Sequence, residues 1–150
     1  MKVVIQRVTQ ASVTIDGTVK GQIAGGYMIL AGFVAEDTEE DLTWIAQKIV
    51  GLRVFNDQND VMNLSIGDVD GDILLISQFT LHAMTRKGNR PSYIMAAKPD
   101  IAKPMYEHFI DMLEKTLGKK IQTGEFGADM KVSLLNDGPV TIIIDSKNRI

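Results

Sequence analysis

The sequence predicts an α+β fold: a mostly antiparallel β-sheet or partial barrel with two packed helices in a single domain. Short apolar or alternating segments separated by glycine fill the first third of the chain. Two later segments carry apolar residues at helical spacing, and further apolar runs follow them. The chain has 150 residues, close to the commonest size of one domain, so residues 1–150 are predicted to form one unit.

The predicted strands begin with four apolar segments, at residues 3–8, 11–15, 19–23 and 27–33. Asp16-Gly17 is typical of a tight hairpin, because glycine tolerates the positive φ that such turns require. The continuous apolar run at residues 73–76 fits a central strand buried on both faces. Later strands are predicted around residues 121–123, 132–135 and 140–145.

Two helices are predicted from apolar spacing and from their ends. Thr38 is the expected N-cap of the first helix, acidic residues follow it in the first turn, and Gly51 can end the element. The second helix is expected at residues 100–117, with an apolar stripe on one face and Gly118 as its stop.

Composition narrows the possible functions. The net charge of −3 argues against a protein that coats nucleic acid nonspecifically. The chain has no cysteine and only two widely separated histidines, so neither a metal site nor a cofactor is predicted. No apolar run approaches the roughly 20 residues that span a bilayer, and charge follows the first residue too soon for a signal peptide. We therefore expect a cytoplasmic location.

A basic stretch stands out against this acidic background. Arg86, Lys87, Arg90 and Lys98 fall within a stretch that contains no acidic residue. Such a stretch is either a solvated loop or a local patch for RNA phosphates.

Ser77-Gln78-Phe79-Thr80-Leu81 follows the predicted central strand and is the first candidate for chemistry. A serine or threonine nucleophile needs a base; the nearest is His82, for which the sequence offers no obvious acidic partner. Backbone N–H groups at the strand end, beside the Gln78 amide, fit better as donors to the oxyanion of an attacked ester. The alternative is a strand end whose side chains satisfy local backbone groups.

Asn136-Asp137-Gly138-Pro139-Val140-Thr141 is the second candidate segment. It places a Gly-Pro pair between two apolar runs, although proline lacks a backbone donor and is unfavourable inside a strand. X-Pro bonds are the only common cis peptides, and a cis bond is predicted between Gly138 and Pro139.

Together, the Ser-Gln-Phe-Thr-Leu and Asn-x-Gly-Pro-x-Thr segments closely resemble those of the D-aminoacyl-tRNA deacylases. The resemblance extends from Met1-Lys2-Val3-Val4-Ile5-Gln6-Arg7-Val8 to the final strand. It implies a homodimeric hydrolase that cleaves the ester of D-aminoacyl-tRNA, and of glycyl-tRNA mischarged on tRNA-Ala. It also implies a catalytic segment that holds the 3′-terminal aminoacyl-adenosine, comprising Ser77, Gln78, Phe79 and Thr80. The nucleophile stays open between Thr80, water and a substrate ribose hydroxyl.

Further residue roles follow from the resemblance. Arg7 is implied to be a buried support for the Gly-Pro element, whereas the sequence alone favours an exposed arginine head. Phe126 either stacks on the terminal adenine or packs in the core, and Met130 is assigned to the same substrate-binding segment. The basic stretch would contact acceptor-stem phosphates, and no DNA or membrane partner is expected.

Gly138 and Pro139 are predicted to form the chirality filter and to reach the partner subunit's pocket. Fixed carbonyl oxygens would accept the substrate's α-ammonium and collide with a side chain projecting in the L direction. Two rival functions are a non-catalytic nucleic-acid-binding module and a small-metabolite hydrolase or binding oligomer that uses the same strand-end pocket. The acidic composition with few aromatic residues favours the enzyme over the binding module.

Overall fold

A six-stranded sheet and two helices make up most of the structure, a computed structural model that describes residues Met1–Ile150. A separate short hairpin is formed by β4 and β5. The elements in chain order are β1 (Lys2–Ile15), β2 (Thr18–Ile23), β3 (Gly26–Gly32), α1 (Glu39–Gly51), β4 (Phe55–Asn56), β5 (Met62–Leu64), β6 (Asp72–Ser77), a 3₁₀ turn (Phe79–His82), α2 (Pro99–Leu117), β7 (Gln122–Thr123) and β8 (Lys131–Asp145).

The sheet is mixed: three of its five strand pairings are antiparallel, in agreement with the predicted mostly antiparallel sheet, but the sequence did not predict the two parallel pairings. β1 pairs antiparallel with β2, β3 and β8, but β3 pairs parallel with β6, and β6 with β7. The physical reason is the connection: α1 lies between β3 and β6, and a helical crossover allows two strands to run in the same direction. The two predicted helices are confirmed.

Two pairs of predicted strands are continuous in the structure. Residues 3–8 and 11–15 belong to the single strand β1, and residues 132–135 and 140–145 belong to β8. β1 and β8 pair from Lys2 opposite Asp145 to Thr14 opposite Lys131, with register shifts on both sides of Val8. The Gly-Pro segment is therefore an irregularity within one strand rather than a connection between two.

The predicted turns and caps are confirmed. Asp16 and Gly17 both have positive φ at the β1–β2 hairpin. Thr38 caps α1 through a reciprocal pair: its backbone N–H donates to Asp41 Oδ2 at 2.8 Å, and the Asp41 N–H donates to its hydroxyl at 3.4 Å. Gly118 ends α2 in the left-handed conformation, with φ of 85°.

The main core lies between the helices and the sheet. Ile45 and Ile49 of α1 and Phe109 and Leu113 of α2 are fully buried in one cluster with residues of β1, β3 and β6. Each such side chain contributes about 1.5–3 kcal/mol on burial, which fixes both helices against the sheet. Neither helix is long and apolar enough to cross a membrane.

Candidate active site

A cavity of about 550 Å³ opens where β6 ends. Its mainly apolar wall comes from the ends of β3 and β6, the loop before α2 and the segment before β8. A concave apolar site of this size with a few polar groups is typical of small-ligand pockets. The predicted site residues on its wall are Ser77, Gln78, Phe79, Lys98, Phe126 and Met130. The predicted residues that do not line it are Thr80, Arg7, Arg86, Lys87, Arg90, Gly138 and Pro139.

The segment predicted to be catalytic turns out of the sheet directly after Ser77. The Gln78 N–H still continues the β3–β6 ladder, donating to Ala31 O at 2.7 Å, and the 3₁₀ turn then begins at Phe79. A Cβ at Gly32 would lie 2.7 Å from Gln78 O, so β3 passes too close here for any larger residue. This packing fixes the backbone of the segment against the central strand.

The Thr80 hydroxyl has an amide donor rather than a base as its neighbour. Gln78 Nε2 donates to Thr80 Oγ1 at 2.6 Å. His82, the nearest candidate base in the sequence, does not bond to Thr80, and its Nε2 is buried without a hydrogen-bond partner. The geometry therefore favours a positioning role for Thr80 over that of an activated nucleophile.

Two aromatic contacts shape the cavity wall, and the sequence predicted neither. Phe79 is 55% exposed and meets Tyr93 edge to face, with ring centroids 5.1 Å apart. Phe126 is half-buried against Tyr106, whose hydroxyl donates to Leu75 O at 2.9 Å. Burial raises the pKa of Tyr106 well above its usual value, so this hydroxyl remains a donor. Phe126 thus combines core packing with a place on the cavity wall.

The Gly138–Pro139 peptide bond is cis, and both residues are exposed. The Arg7 guanidinium beside them is buried, so the alternative of an exposed arginine head is wrong. Arg7 Nε donates to Asp137 O at 3.2 Å, and Nη1 donates to Val54 O at 2.7 Å and to Asn56 Oδ1 at 3.0 Å. Arg7 therefore ties the Gly-Pro segment to β4, a contact that sequence spacing could not indicate.

Of the four predicted basic residues, only Lys98 lies on the cavity wall. Arg86, Lys87 and Arg90 are exposed on the loop that contains Gly88, and Lys98 immediately precedes α2. None of the four forms an ion pair within the chain. They are solvated, and their charges are free for a polyanionic ligand.

Comparison with known proteins places this geometry in a family. Residues 4–145 match the family model described as D-Tyr-tRNA(Tyr) deacylase. The chain belongs to the D-aminoacyl-tRNA deacylase family. Two relatives named D-aminoacyl-tRNA deacylase, from Flavobacterium johnsoniae and Bacteroides fragilis, are 64% and 63% identical to it over 149 residues, and each match covers 99% of both chains. Family membership makes the chain an ester hydrolase.

Solved structures share the deacylase fold. A structure named c-Myc DNA Unwinding Element Binding Protein superposes with a TM-score of 0.92 at 41% identity, covering 97% of this chain and 98% of that one. A probable eukaryotic D-amino acid tRNA deacylase superposes with a TM-score of 0.83 at 16% identity, covering 95% and 97%. The second likeness concerns the fold alone.

Proposed function

We propose that residues 1–150 form one cytoplasmic catalytic domain that hydrolyses the ester bond of D-aminoacyl-tRNA, releasing the D-amino acid and reusable tRNA. The observation that carries this proposal is the cavity at the end of β6, which has the Ser77–Phe79 segment on its wall in a chain of the deacylase family. Glycyl-tRNA mischarged on tRNA-Ala is a second substrate, because glycine has no side chain to be rejected.

The catalytic segment works through its backbone in this proposal. N–H groups at the start of the 3₁₀ turn, with the Gln78 amide, stabilise the oxyanion that forms when the ester is attacked. Water or the ribose hydroxyl next to the ester is the nucleophile. Thr80 holds the Gln78 amide through the 2.6 Å bond and needs no activation of its own.

Gly138 and Pro139 form the chirality filter. In a homodimer, this filter reaches the pocket of the partner subunit. Both residues are exposed and absent from the wall of their own chain's cavity. β8 pairs only with β1, so its other edge is open, and it exposes Leu135 by 55% and Ile143 by 68%. An edge of this length offers unpaired backbone groups and apolar side chains that a second chain could cover.

The basic loop steers the RNA to this composite site. Arg86, Lys87, Arg90 and Lys98 contact phosphates of the acceptor stem, while Phe126 stacks on the terminal adenine. Weak contacts of this kind suit a substrate that must be released after hydrolysis.

One assay tests the proposal: hydrolysis of D-tyrosyl-, L-tyrosyl- and glycyl-tRNA by chelator-treated protein, with D-tyrosine ethyl ester as the RNA-free control. We expect the D-tyrosyl ester on tRNA to be cleaved about 100-fold faster than its L counterpart. Equal rates for the D and L substrates would overturn the filter. Cleavage of the free ester alone would favour the metabolite hydrolase, and binding of nucleic acid without any cleavage would favour the binding module.

A further inference from the structure

The Gly-Pro segment leaves the sheet as a closed loop. Gln6 pairs with Thr141 and Val8 pairs with Asn136, so residues 137–140 have no partner on β1 and bulge out opposite Arg7. The two ends of this loop, Asn136 and Thr141, lie close together, because their partners on β1, Val8 and Gln6, are separated only by Arg7. Whatever joins those ends sets how the loop tip projects.

The Asn136 side chain joins them. Its Nδ2 donates to Arg7 O at 3.0 Å and to Val140 O at 3.1 Å. Its Oδ1 accepts from Gln6 Nε2 at 3.3 Å and from Thr141 Oγ1 at 3.1 Å. A primary amide offers two donors and two acceptor lone pairs, so every hydrogen-bonding position of this side chain is used.

These four bonds link three stretches of the chain: β1, the part of β8 before the loop and the part of β8 after it. Arg7 acts at a different point, because its guanidinium bonds Asp137 O within the loop and anchors it to β4. Asn136 thus holds the two ends of the loop together, and Arg7 holds the loop at Asp137. The amide fits its place chemically, since a carboxylate there would face two carbonyl oxygens without a donor, and a longer amide would separate the ends.

We infer that Asn136 is a positioning residue that sets the projection of Gly138 and Pro139 and thereby the discrimination between D and L substrates. The inference rests on the proposed role of those two residues as the filter. Asn136 itself touches no substrate. Thr141 and Gln6 support it as the two donors to its carbonyl oxygen.

The test is Asn136→Asp, which keeps the size and the two acceptors but removes both donors. We expect the ratio of D-tyrosyl- to L-tyrosyl-tRNA hydrolysis to fall by about tenfold or more, as the loss of two hydrogen bonds from the loop base implies. Hydrogen exchange of peptides that span residues 137–140 should accelerate in the same variant. Asn148→Asp, an equal change at an exposed residue remote from the loop, is the control and should alter neither quantity.

The two readouts separate this inference from the proposed function. Faster exchange with a reduced D-to-L ratio supports the inference. Unchanged hydrogen exchange at residues 137–140 in a folded variant overturns it. If the parent protein discriminates between D and L substrates, faster exchange with an unchanged D-to-L ratio in the variant also overturns it. A parent protein without discrimination refutes the filter and the inferred specificity role together, and the exchange then reports only on the loop base. If Asn136→Asp does not fold, Thr141→Val removes one of the four bonds, and a shift of about threefold in the same direction is expected.

Discussion

Two regions of the chain carry the proposed chemistry, and they are held in place by different interactions. The segment at Ser77 follows a central strand with neighbours on both sides, and its one side-chain hydrogen bond joins Gln78 to Thr80. The Gly138–Pro139 loop lies on the outermost strand, exposed, and is fixed by polar side chains from residues that surround it. The first region should therefore be sensitive to changes in its backbone, and the second to changes in its supports.

The largest effect is expected from Phe79→Pro, which removes one backbone N–H from the proposed oxyanion site. Proline suits the first position of a turn, and Gln78 before it lies outside the helical region, with φ of −148° and ψ of 89°, so the fold should persist. Loss of an oxyanion donor typically costs about 10²–10³ in kcat, and a loss of this size is expected in single-turnover hydrolysis of D-tyrosyl-tRNA.

Phe79→Ala is the matched control, because it removes the same ring but keeps the N–H. If the alanine and proline variants lose activity equally, the ring rather than the backbone is what the substrate requires. Thermal unfolding of both variants establishes that they are folded.

Gly138→Ala should have the next largest effect, more than about tenfold on D-tyrosyl-tRNA hydrolysis. Gly138 has φ of 119°, and a Cβ there would lie 3.0 Å from the Arg7 guanidinium and 3.1 Å from the Val140 side chain. Gly17→Ala is the control: it also has positive φ, at 78°, but its Cβ would contact nothing. Equal rates in the two variants would show that the loop tip does not contribute to the site.

Thr80→Ala should reduce the rate by about tenfold, the cost of one positioning hydrogen bond of one to two kcal/mol. Thr116→Ala, which removes an exposed hydroxyl bonded to Met112 O on α2, should have no effect on the rate. An inactive but folded Thr80 variant, together with a trapped acyl-threonine intermediate in the parent, would establish Thr80 as the nucleophile.

Asp41→Asn should leave the activity unchanged, because Asp41 is remote from both regions. Burial alone would raise the pKa of Asp41, but hydrogen bonds from Lys147, at 2.6 Å, and Thr38 outweigh it and hold the pKa below its usual range. The folded state thus favours the carboxylate, which stabilises the fold above the ordinary pKa of about 4 and loses that stabilisation as the pH falls below it.

We therefore expect Asp41→Asn to lower the unfolding free energy by about 1 kcal/mol at pH 7, where the partly exposed Lys147 limits the gain, and by less at pH 3. Thermal unfolding at the two pH values measures this. Asp111→Asn, at an exposed residue of α2, is the control and should leave the unfolding free energy at pH 7 unchanged. A difference that grows as the pH falls would contradict the assigned pKa direction.

Local features of the fold could be predicted from the sequence, because neighbouring residues determine them. Asp16-Gly17, the Thr38 cap and the Gly118 stop each depend on a few adjacent residues. The parallel pairing of β3 with β6 depends on contacts across α1. The sequence does contain an indication of this parallel pairing, since the apolar runs of both strands and the helix between them are typical of a parallel unit.

The candidate site also combines local features, which the sequence could predict, with long-range contacts, which it could not. The Ser77–Thr80 segment and the Gly-Pro pair are contiguous motifs that the sequence could single out. The contacts of Arg7 with Val54 and Asn56, and those of Asn136 with Gln6, join positions far apart in the chain. No periodicity records such pairs, because Asn136 meets Gln6 only when β8 docks on β1, and Arg7 meets Val54 and Asn56 only when the segment after α1 packs beside β1.

The pairing of β1 with β8 has a consequence for synthesis on the ribosome. Gln6 meets Asn136 across 130 positions of the chain, so one edge of β1 has no partner until β8 has emerged. At roughly 5–20 residues per second, that interval lasts on the order of ten seconds. During this time the edge of β1 that later pairs with β8 presents unpaired backbone groups, a condition that favours aggregation. A protein proposed to proofread translation thus completes its own sheet only near the end of its translation.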